Sequence, residues 1–115
     1  MGQIYLQRFA YRDGITKSEL DQAWADGFKA FAQAGNWGGV DRGVTHHQTY
    51  GTGWGGFVLI EVEDPDAFGR YQAYHNQTYG HVVQVTWEPV FDMDRAFGDH
   101  PQLEMKAETA GQRGR

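Results

Sequence analysis

The chain has 115 residues, the usual length of one domain, and its 40% hydrophobic and 15% aromatic content is enough to support a folded core. A net charge of -5 without a Lys/Arg cluster argues against a nucleic-acid partner, and the lack of cysteine excludes disulfides, thiolate metal ligands and a cysteine nucleophile. No segment has the length and apolar character of a membrane span or a secretory leader, so we expect a cytoplasmic protein that binds no membrane.

The first part of the chain predicts a strand followed by a helix. Residues 3–9 carry two apolar side chains on each face of a period-2 pattern, which is typical of a strand. Thr16 and Glu19 have the spacing of a capping box, and Gly35-Asn36 is typical of a left-handed helix end. The large apolar side chains between these ends recur at spacings of four, four and three residues and are expected to face the core: Leu20, Trp24, Phe28 and Phe31.

The rest of the chain predicts two strands, a helix and a final strand. The predicted segments are residues 38–50 for the second strand, 51–53 for a turn, 54–62 for the third strand and 81–92 for the last strand. The apolar run from Phe57 to Ile60 indicates that the third strand is central and covered on both faces. Asp64 as N-cap and Pro65 at the first helical position begin the second helix, which Gly80 ends.

The element order is therefore β-α-β-β-α-β, which predicts an α+β fold of the ferredoxin-like kind. In this fold a four-stranded antiparallel sheet carries two helices on one face. We expect one domain over residues 1–97 and a polar C-terminal tail over residues 98–115.

The face of the sheet without helices predicts self-association. We expect this face to expose Tyr5, Phe9, Phe57 and Leu59, a larger apolar patch than monomers usually leave in water. Two such sheets packed face to face would bury the patch and leave a cavity between them. The expected partners are therefore a second copy of the chain and a small-molecule ligand.

Residues 54–95 resemble the dimeric α/β-barrel superfamily of small ferredoxin-like proteins. The resemblance rests on Phe57-Val58-Leu59-Ile60-Glu61-Val62-Glu63-Asp64-Pro65, on Tyr71 and His75, and on Val85-Thr86-Trp87-Glu88-Pro89-Val90. The pattern is similar to one small branch and, more distantly, to the cofactor-free monooxygenases and polyketide cyclases. The resemblance implies a cavity-bound substrate that is handled by a histidine near the end of the second helix together with a tyrosine. The matching positions are His75 and Tyr71.

His75 is also a candidate on its own spacing. It follows Phe68 by seven residues and Tyr71 by four, which places it on the inward stripe of the second helix, near its C-terminus. An imidazole there could serve as a general acid or base near neutral pH. The alternative is a structural histidine that is hydrogen-bonded within the core.

The strands supply the remaining candidates. His46 and His47 are adjacent on a strand and point to opposite faces, and we expect His47 to face the pocket as a third catalytic residue. The expected substrate-binding residues are Tyr5, Gln7, Phe57 and Trp87, with the indole of Trp87 able to stack on a flat ligand.

These residues predict an enzyme that acts on an aromatic or polyketide-like molecule by cofactor-free acid-base or monooxygenase chemistry. One alternative is a non-catalytic, dimeric ligand-binding or stress-related accessory protein, and another is a haem-binding or haem-degrading protein. No metal is expected, because no His-x-x-x-His or carboxylate-histidine spacing occurs. A single ion shared by His47 with His75 or His81 is the alternative to this expectation.

Overall fold

The computed structural model describes residues 2–98, and these residues form a four-stranded antiparallel sheet with helices. The elements are β1 (Gln3–Tyr11), α1 (Lys17–Ala34), β2 (Val44–Thr52), β3 (Gly55–Val62), α2 (Pro65–Tyr79), β4 (Val83–Val90) and α3 (Met93–Phe97). The strand order is β2-β3-β1-β4, and every neighbouring pair is antiparallel. The α+β class, the central position of β3 and the roughly ferredoxin-like architecture are thus confirmed.

Local capping chemistry determines where the two long helices begin. Before α1, the hydroxyl of Thr16 accepts a hydrogen bond from the backbone N–H of Glu19, and the Glu19 carboxylate accepts one from the backbone N–H of Thr16. Gly35 ends this helix at φ 79°, in the left-handed region that glycine adopts readily. Before α2, Asp64 accepts from the backbone N–H of Asp66, and Pro65 occupies the first turn. These predicted helix ends are confirmed.

The second strand begins six residues later than predicted. The side chain of Asn36 is buried, and it donates to the carbonyl oxygen of Val40 while accepting from the backbone N–H groups of Gly38 and Val40. These hydrogen bonds fold the segment into a compact loop instead of an extended strand. The loop closes at Gly43, whose φ of 95° is incompatible with a regular strand.

The other segment boundaries shift by smaller amounts. Strand β2 continues through Thr52, so Gly53 and Trp54 form the turn that leads into β3. Strand β4 ends at Val90, and Asp92 caps the short helix α3, which the sequence patterns did not predict. No helix within residues 2–98 combines the length and hydropathy needed to cross a membrane. The predicted tail comprises residues 98–115, of which residues 99–115 lie outside the described residues.

The two faces of the sheet differ in composition. The helix-covered face carries Val58 and Ile60 of β3, both fully buried against α2. In register with them on β1 are Gln7 and Tyr5, so Tyr5 and Phe9 lie on this face and not on the uncovered face as predicted. We call the other face, which α1 and α2 leave uncovered, the open face; its half-buried apolar side chains are Ile4, Leu6, Phe57, Leu59 and Val90. Phe57 and Leu59 lie where predicted.

Helix α1 packs on the sheet with small residues. Its buried positions are Ala23, Gly27 and Ala30, whereas Phe28 is 59% exposed and Trp24 is half-buried. The prediction that Phe28 belongs to the core is wrong, because the small residues one position away form the inward stripe. The fit at Gly27 is close, because an added Cβ would lie 3.2 Å from the Trp37 ring and 3.5 Å from the Tyr79 hydroxyl.

Candidate functional site

His75 lies buried between α2 and the sheet without a hydrogen-bond partner. Only 4% of its surface is exposed, and within residues 2–98 neither Nδ1 nor Nε2 has a partner. Its ring is surrounded by three aromatic rings, with centroid distances of 4.7 Å to Tyr71, 4.8 Å to Tyr79 and 5.7 Å to Trp87. Buried polar atoms are nearly always hydrogen-bonded in native proteins. Among the described residues 2–98, His75 is therefore the buried side chain whose polar atoms lack a hydrogen-bond partner.

The spacing of α2 explains this position. The buried side chains Phe68, Tyr71, His75 and Tyr79 recur at spacings of three, four and four residues, which is one stripe of an α-helix. The Tyr71 ring packs on the loop before β2, where a Cβ added to Gly38 would lie 2.2 Å from its Cδ2 atom. Close approach of the loop backbone to Tyr71 thus requires glycine at position 38.

Gln7 on the central strand β1 is hydrogen-bonded to two of the aromatic side chains that flank His75. Its Oε1 accepts hydrogen bonds from the Tyr71 hydroxyl and from the Trp87 indole N–H, both at 2.9 Å. The indole N–H can only donate, so the amide must turn its oxygen towards Trp87. The orientation of the Gln7 side chain is therefore determined by its neighbours, and no side chain or carbonyl of residues 2–98 accepts a hydrogen bond from its amide N–H groups.

A cleft opens between α1 and the sheet, with His75 and Gln7 in its wall. Its free volume is about 70 Å³. The lining residues are mostly apolar: Gln7, Phe9, Tyr11, Leu20, Ala23, Trp24, Gly27, Trp37, Thr49, Val58, His75, Tyr79, Val82, Val83 and Val85. No Asp, Glu, Lys or Arg of residues 2–98 is among them. An apolar cleft with a few polar groups in its wall is the usual composition of a small-molecule site.

Burial controls the protonation of the groups in this wall. Desolvation lowers the pKa of His75 to about 3, so the imidazole is neutral at physiological pH and carries one donor and one acceptor nitrogen. Desolvation also raises the pKa of Tyr71 far above the range of a free phenol, and the nearby Tyr79 acts in the same direction. The wall therefore offers neutral hydrogen-bonding groups and no charge.

The structure brings five of the seven predicted site residues together. Gln7, Tyr71, His75 and Trp87 form one connected cluster, and Tyr5 extends it through the ring of Phe68, whose centroid is 4.5 Å from that of Tyr5. The cluster lies on the helix-covered face. The pocket was expected between two sheets, whereas this cleft lies between α1 and the sheet of one chain.

The other two predicted residues, His47 and Phe57, lie on the open face. The Nε2 atom of His47 is 3.0 Å from Oε1 of Glu61, and both groups are accessible to solvent. A β-bulge between His46 and Gln48 separates the two histidines, so that His46 faces the helices with its ring 4.9 Å from that of Phe31. The expectation that His47, and not His46, faces the pocket does not agree with this geometry. Because the sheet separates His47 from His75, these two side chains cannot share an ion.

Sequence reasoning missed Trp37, which lines the cleft. The indole of Trp37 lies among Trp24, Phe28 and Phe31, at centroid distances from 4.9 to 6.0 Å, and its N–H donates to the Thr49 hydroxyl. The Tyr79 hydroxyl in turn donates to the backbone carbonyl of Trp37. No periodic pattern marks a residue in a loop, so the available signal was only the presence of tryptophan beside Asn36.

Fold and site together define a roughly ferredoxin-like α+β domain with an apolar cleft under its first helix. Comparisons of the chain with protein-family models, with curated proteins and with solved structures each gave no match. Within residues 2–98 no three His, Asp or Glu side chains are placed to hold a metal ion together. The chemistry of the cleft therefore has to be argued from its own residues.

Proposed function

We propose that this chain is a small-molecule enzyme of the dimeric α/β-barrel type that binds an aromatic or polyketide-like molecule in the cleft beneath α1, with His75 as its acid-base group. The observation that carries the proposal is the unpaired imidazole in the wall of an apolar cleft. Leaving a buried polar atom unpaired costs about 1–3 kcal/mol. A bound molecule with a hydroxyl or carbonyl group would recover part of that free energy.

The surroundings of His75 define the reaction that it can support. A neutral imidazole can accept the proton of a phenol or enol, but an isolated imidazolium would be unfavourable in this apolar wall, as its low pKa indicates. Proton transfer from a substrate held beside the ring would form an imidazolium next to an oxyanion, and the attraction between these two charges has to offset the low basicity of the buried imidazole. The aromatic substrate is thereby activated as its anion, the electron-rich form that cofactor-free oxygenation or rearrangement requires.

The two residues around His75 act in different ways. The phenol of Tyr71 stays protonated, because its pKa is raised by burial, and its proton is engaged by Gln7. We assign Tyr71 a positioning role, since it stacks on the imidazole and holds the Gln7 amide. Trp87 donates to the same amide and closes the wall on the other side of His75.

The proposed dimer uses the open face. Its apolar centre, which includes Leu6, Phe57 and Leu59, is flanked by the ion pairs Arg8–Glu88 and His47–Glu61. A central apolar patch with a polar rim is the composition of an interface that excludes water. In this arrangement His47 and Phe57 belong to the contact between subunits and not to the cleft.

Binding of 1-naphthol, followed by its fluorescence, tests the site. Wild-type protein should bind 1-naphthol more tightly than naphthalene, and His75→Phe should remove that preference while retaining binding of naphthalene. Gln33→Ala, on the exposed side of α1, is the matched control and should behave like wild type. Equal affinity of the wild type for both molecules would contradict the role of His75.

Chemistry is tested with anthrone as the substrate. Oxygenation converts one anthrone and one O2 into anthraquinone and water, and it should depend on His75. Binding of naphthol without anthrone turnover would favour the non-catalytic alternative, which the low basicity of His75 also supports.

A haem titration tests the alternative of a haem-binding or haem-degrading protein. A Soret shift that His75→Phe abolishes would favour this alternative.

A further inference from the structure

The amide of Gln7 is the second polar group of the cleft, and its geometry defines what a ligand must carry. Gln7 lies in the middle of β1, is 1% exposed and lines the same cleft as His75. Its oxygen is occupied by two donors, the Tyr71 hydroxyl and the Trp87 indole. A carbonyl oxygen has two lone pairs, so this acceptor is saturated. Only the N–H groups of the amide remain to contact a bound molecule.

Gln7 and His75 are held close together by shared neighbours. The two rings that donate to Gln7 are those of Tyr71 and Trp87, which also flank the imidazole, at centroid distances of 4.7 and 5.7 Å. His75 and Gln7 thus both line the cleft, the imidazole with two buried nitrogens that have no partner within residues 2–98 and the amide with N–H groups that can donate. Without Asp, Glu, Lys or Arg in the lining, nothing compensates a charged ligand.

We propose that Gln7 is a specificity-determining residue that donates to a carbonyl oxygen of the ligand while His75 accepts from a ligand hydroxyl, so that the preferred substrates are neutral hydroxyaryl ketones or the equivalent enolised diketones. This inference rests on the proposed function of the cleft. The N–H of Gln7 stabilises the partial negative charge on the carbonyl oxygen of the bound ligand. A phenol without the carbonyl lacks that stabilisation.

A comparison of two ligands of similar shape distinguishes recognition of a carbonyl group by Gln7 from binding in the cleft without such recognition. 3′-Hydroxyacetophenone carries the hydroxyl and the carbonyl, and its meta arrangement prevents an internal hydrogen bond. 3-Ethylphenol keeps the ring and hydroxyl but replaces the acetyl group by ethyl. Wild-type protein should bind the ketone about tenfold more tightly, the ratio expected for one additional neutral hydrogen bond.

The matched variant is Gln7→Met, which keeps the length of the side chain but removes the amide donors. It should lose the tenfold preference for the ketone over 3-ethylphenol. A measurement on the unmodified protein covers the case that the variant does not fold. The side-chain amide signals of Gln7 in ¹H-¹⁵N NMR spectra should move on addition of the ketone and stay in place on addition of 3-ethylphenol.

The outcomes separate the two proposals. If neither molecule binds the wild-type protein, the proposed function of the cleft fails and this inference fails with it. If both molecules bind with equal affinity and neither shifts the Gln7 amide signals, the cleft is a ligand site but Gln7 does not hydrogen-bond to a ligand carbonyl. A tenfold preference for the ketone together with the amide shift supports the assignment.

Discussion

The rings of Tyr71 and His75 lie 4.7 Å apart at an interplanar angle of 37°. This contact places a phenol that keeps its proton beside an imidazole that stays neutral, since burial moves both pKa values away from physiological pH, that of Tyr71 up and that of His75 down. Both rings come from one face of α2, so their relation is built into the helix and does not depend on a flexible loop.

The low pKa of His75 makes the stability of the fold depend on pH. Its pKa is about 3 in the folded chain and about 6.5 for an unfolded histidine, so between these values the unfolded chain binds the proton and the folded chain does not. Stability must then fall as the pH is lowered through this window. At pH 5 the loss relative to pH 7.5 should be about 2 kcal/mol in urea unfolding.

His75→Phe provides the control for this prediction. The variant should lose less stability than wild type between pH 7.5 and pH 5, because it lacks the titrating group. The pKa of His46 is also lowered by burial, but His46 is present in both proteins and its contribution cancels in the difference. Identical pH profiles for the two proteins would show that His75 is not buried as described.

Gly38→Ala should destabilise the fold through a clash with the ring of Tyr71. The added methyl group would lie 2.2 Å from Cδ2 of this fully buried tyrosine, so the loop or α2 has to move, at a cost of about 2–3 kcal/mol. Thermal unfolding measures the change. Gly69→Ala, in α2 with open space around it, is the matched control and should stabilise by up to about 1 kcal/mol.

Ala23→Leu should fill the cleft. Ala23 is buried on the inward side of α1 and lines the cleft, so the larger side chain occupies space that a ligand would need. We expect loss of 1-naphthol binding with a change in stability below about 1.5 kcal/mol. Ala25→Leu, on the exposed side of the same helix, should leave binding intact. Retained binding by Ala23→Leu would place the ligand elsewhere.

Leu59→Glu should prevent the proposed dimer. Leu59 lies in the apolar centre of the open face, and a carboxylate there would have to be buried without a partner when two sheets meet. In sedimentation experiments wild-type protein should behave as a dimer and the variant as a monomer. Gln33→Glu adds the same charge on exposed α1 and should leave the dimer unaffected. A monomeric wild type would contradict the assembly.

Features carried by short-range chemistry were predictable from the sequence. The capping residues Thr16 and Asp64 were correctly interpreted, because each acts within a few residues of itself. The apolar run of β3 correctly predicted a central strand, but not a strand covered on both faces, since Phe57 and Leu59 lie on the open face. The helical spacing of Tyr71 and His75 likewise predicted their common inward stripe. These signals were enough for the class of fold and for the helical half of the site.

Features that depend on contacts between distant elements were not predictable. Strand β1 has apolar side chains on both faces, so alternation alone could not decide whether Tyr5 or Leu6 faces the helices. The loop before β2 follows from the hydrogen bonds of Asn36, and the inward stripe of small residues on α1 looks weaker in the sequence than the aromatic stripe beside it. The large aromatic side chains of α1 give the stronger pattern in the sequence, but the small residues Ala23, Gly27 and Ala30 form the buried face of the helix.

The alternation along β1 also has a consequence for how this chain can diverge. Leu6 lies on the open face and its neighbour Gln7 in the wall of the cleft, so one stretch of backbone serves both surfaces. Inserting or deleting a single residue in β1 would exchange the two sets of side chains and remove both surfaces at once. Divergent copies of this chain should therefore keep the length of β1 constant and adapt to new ligands through substitutions on α1.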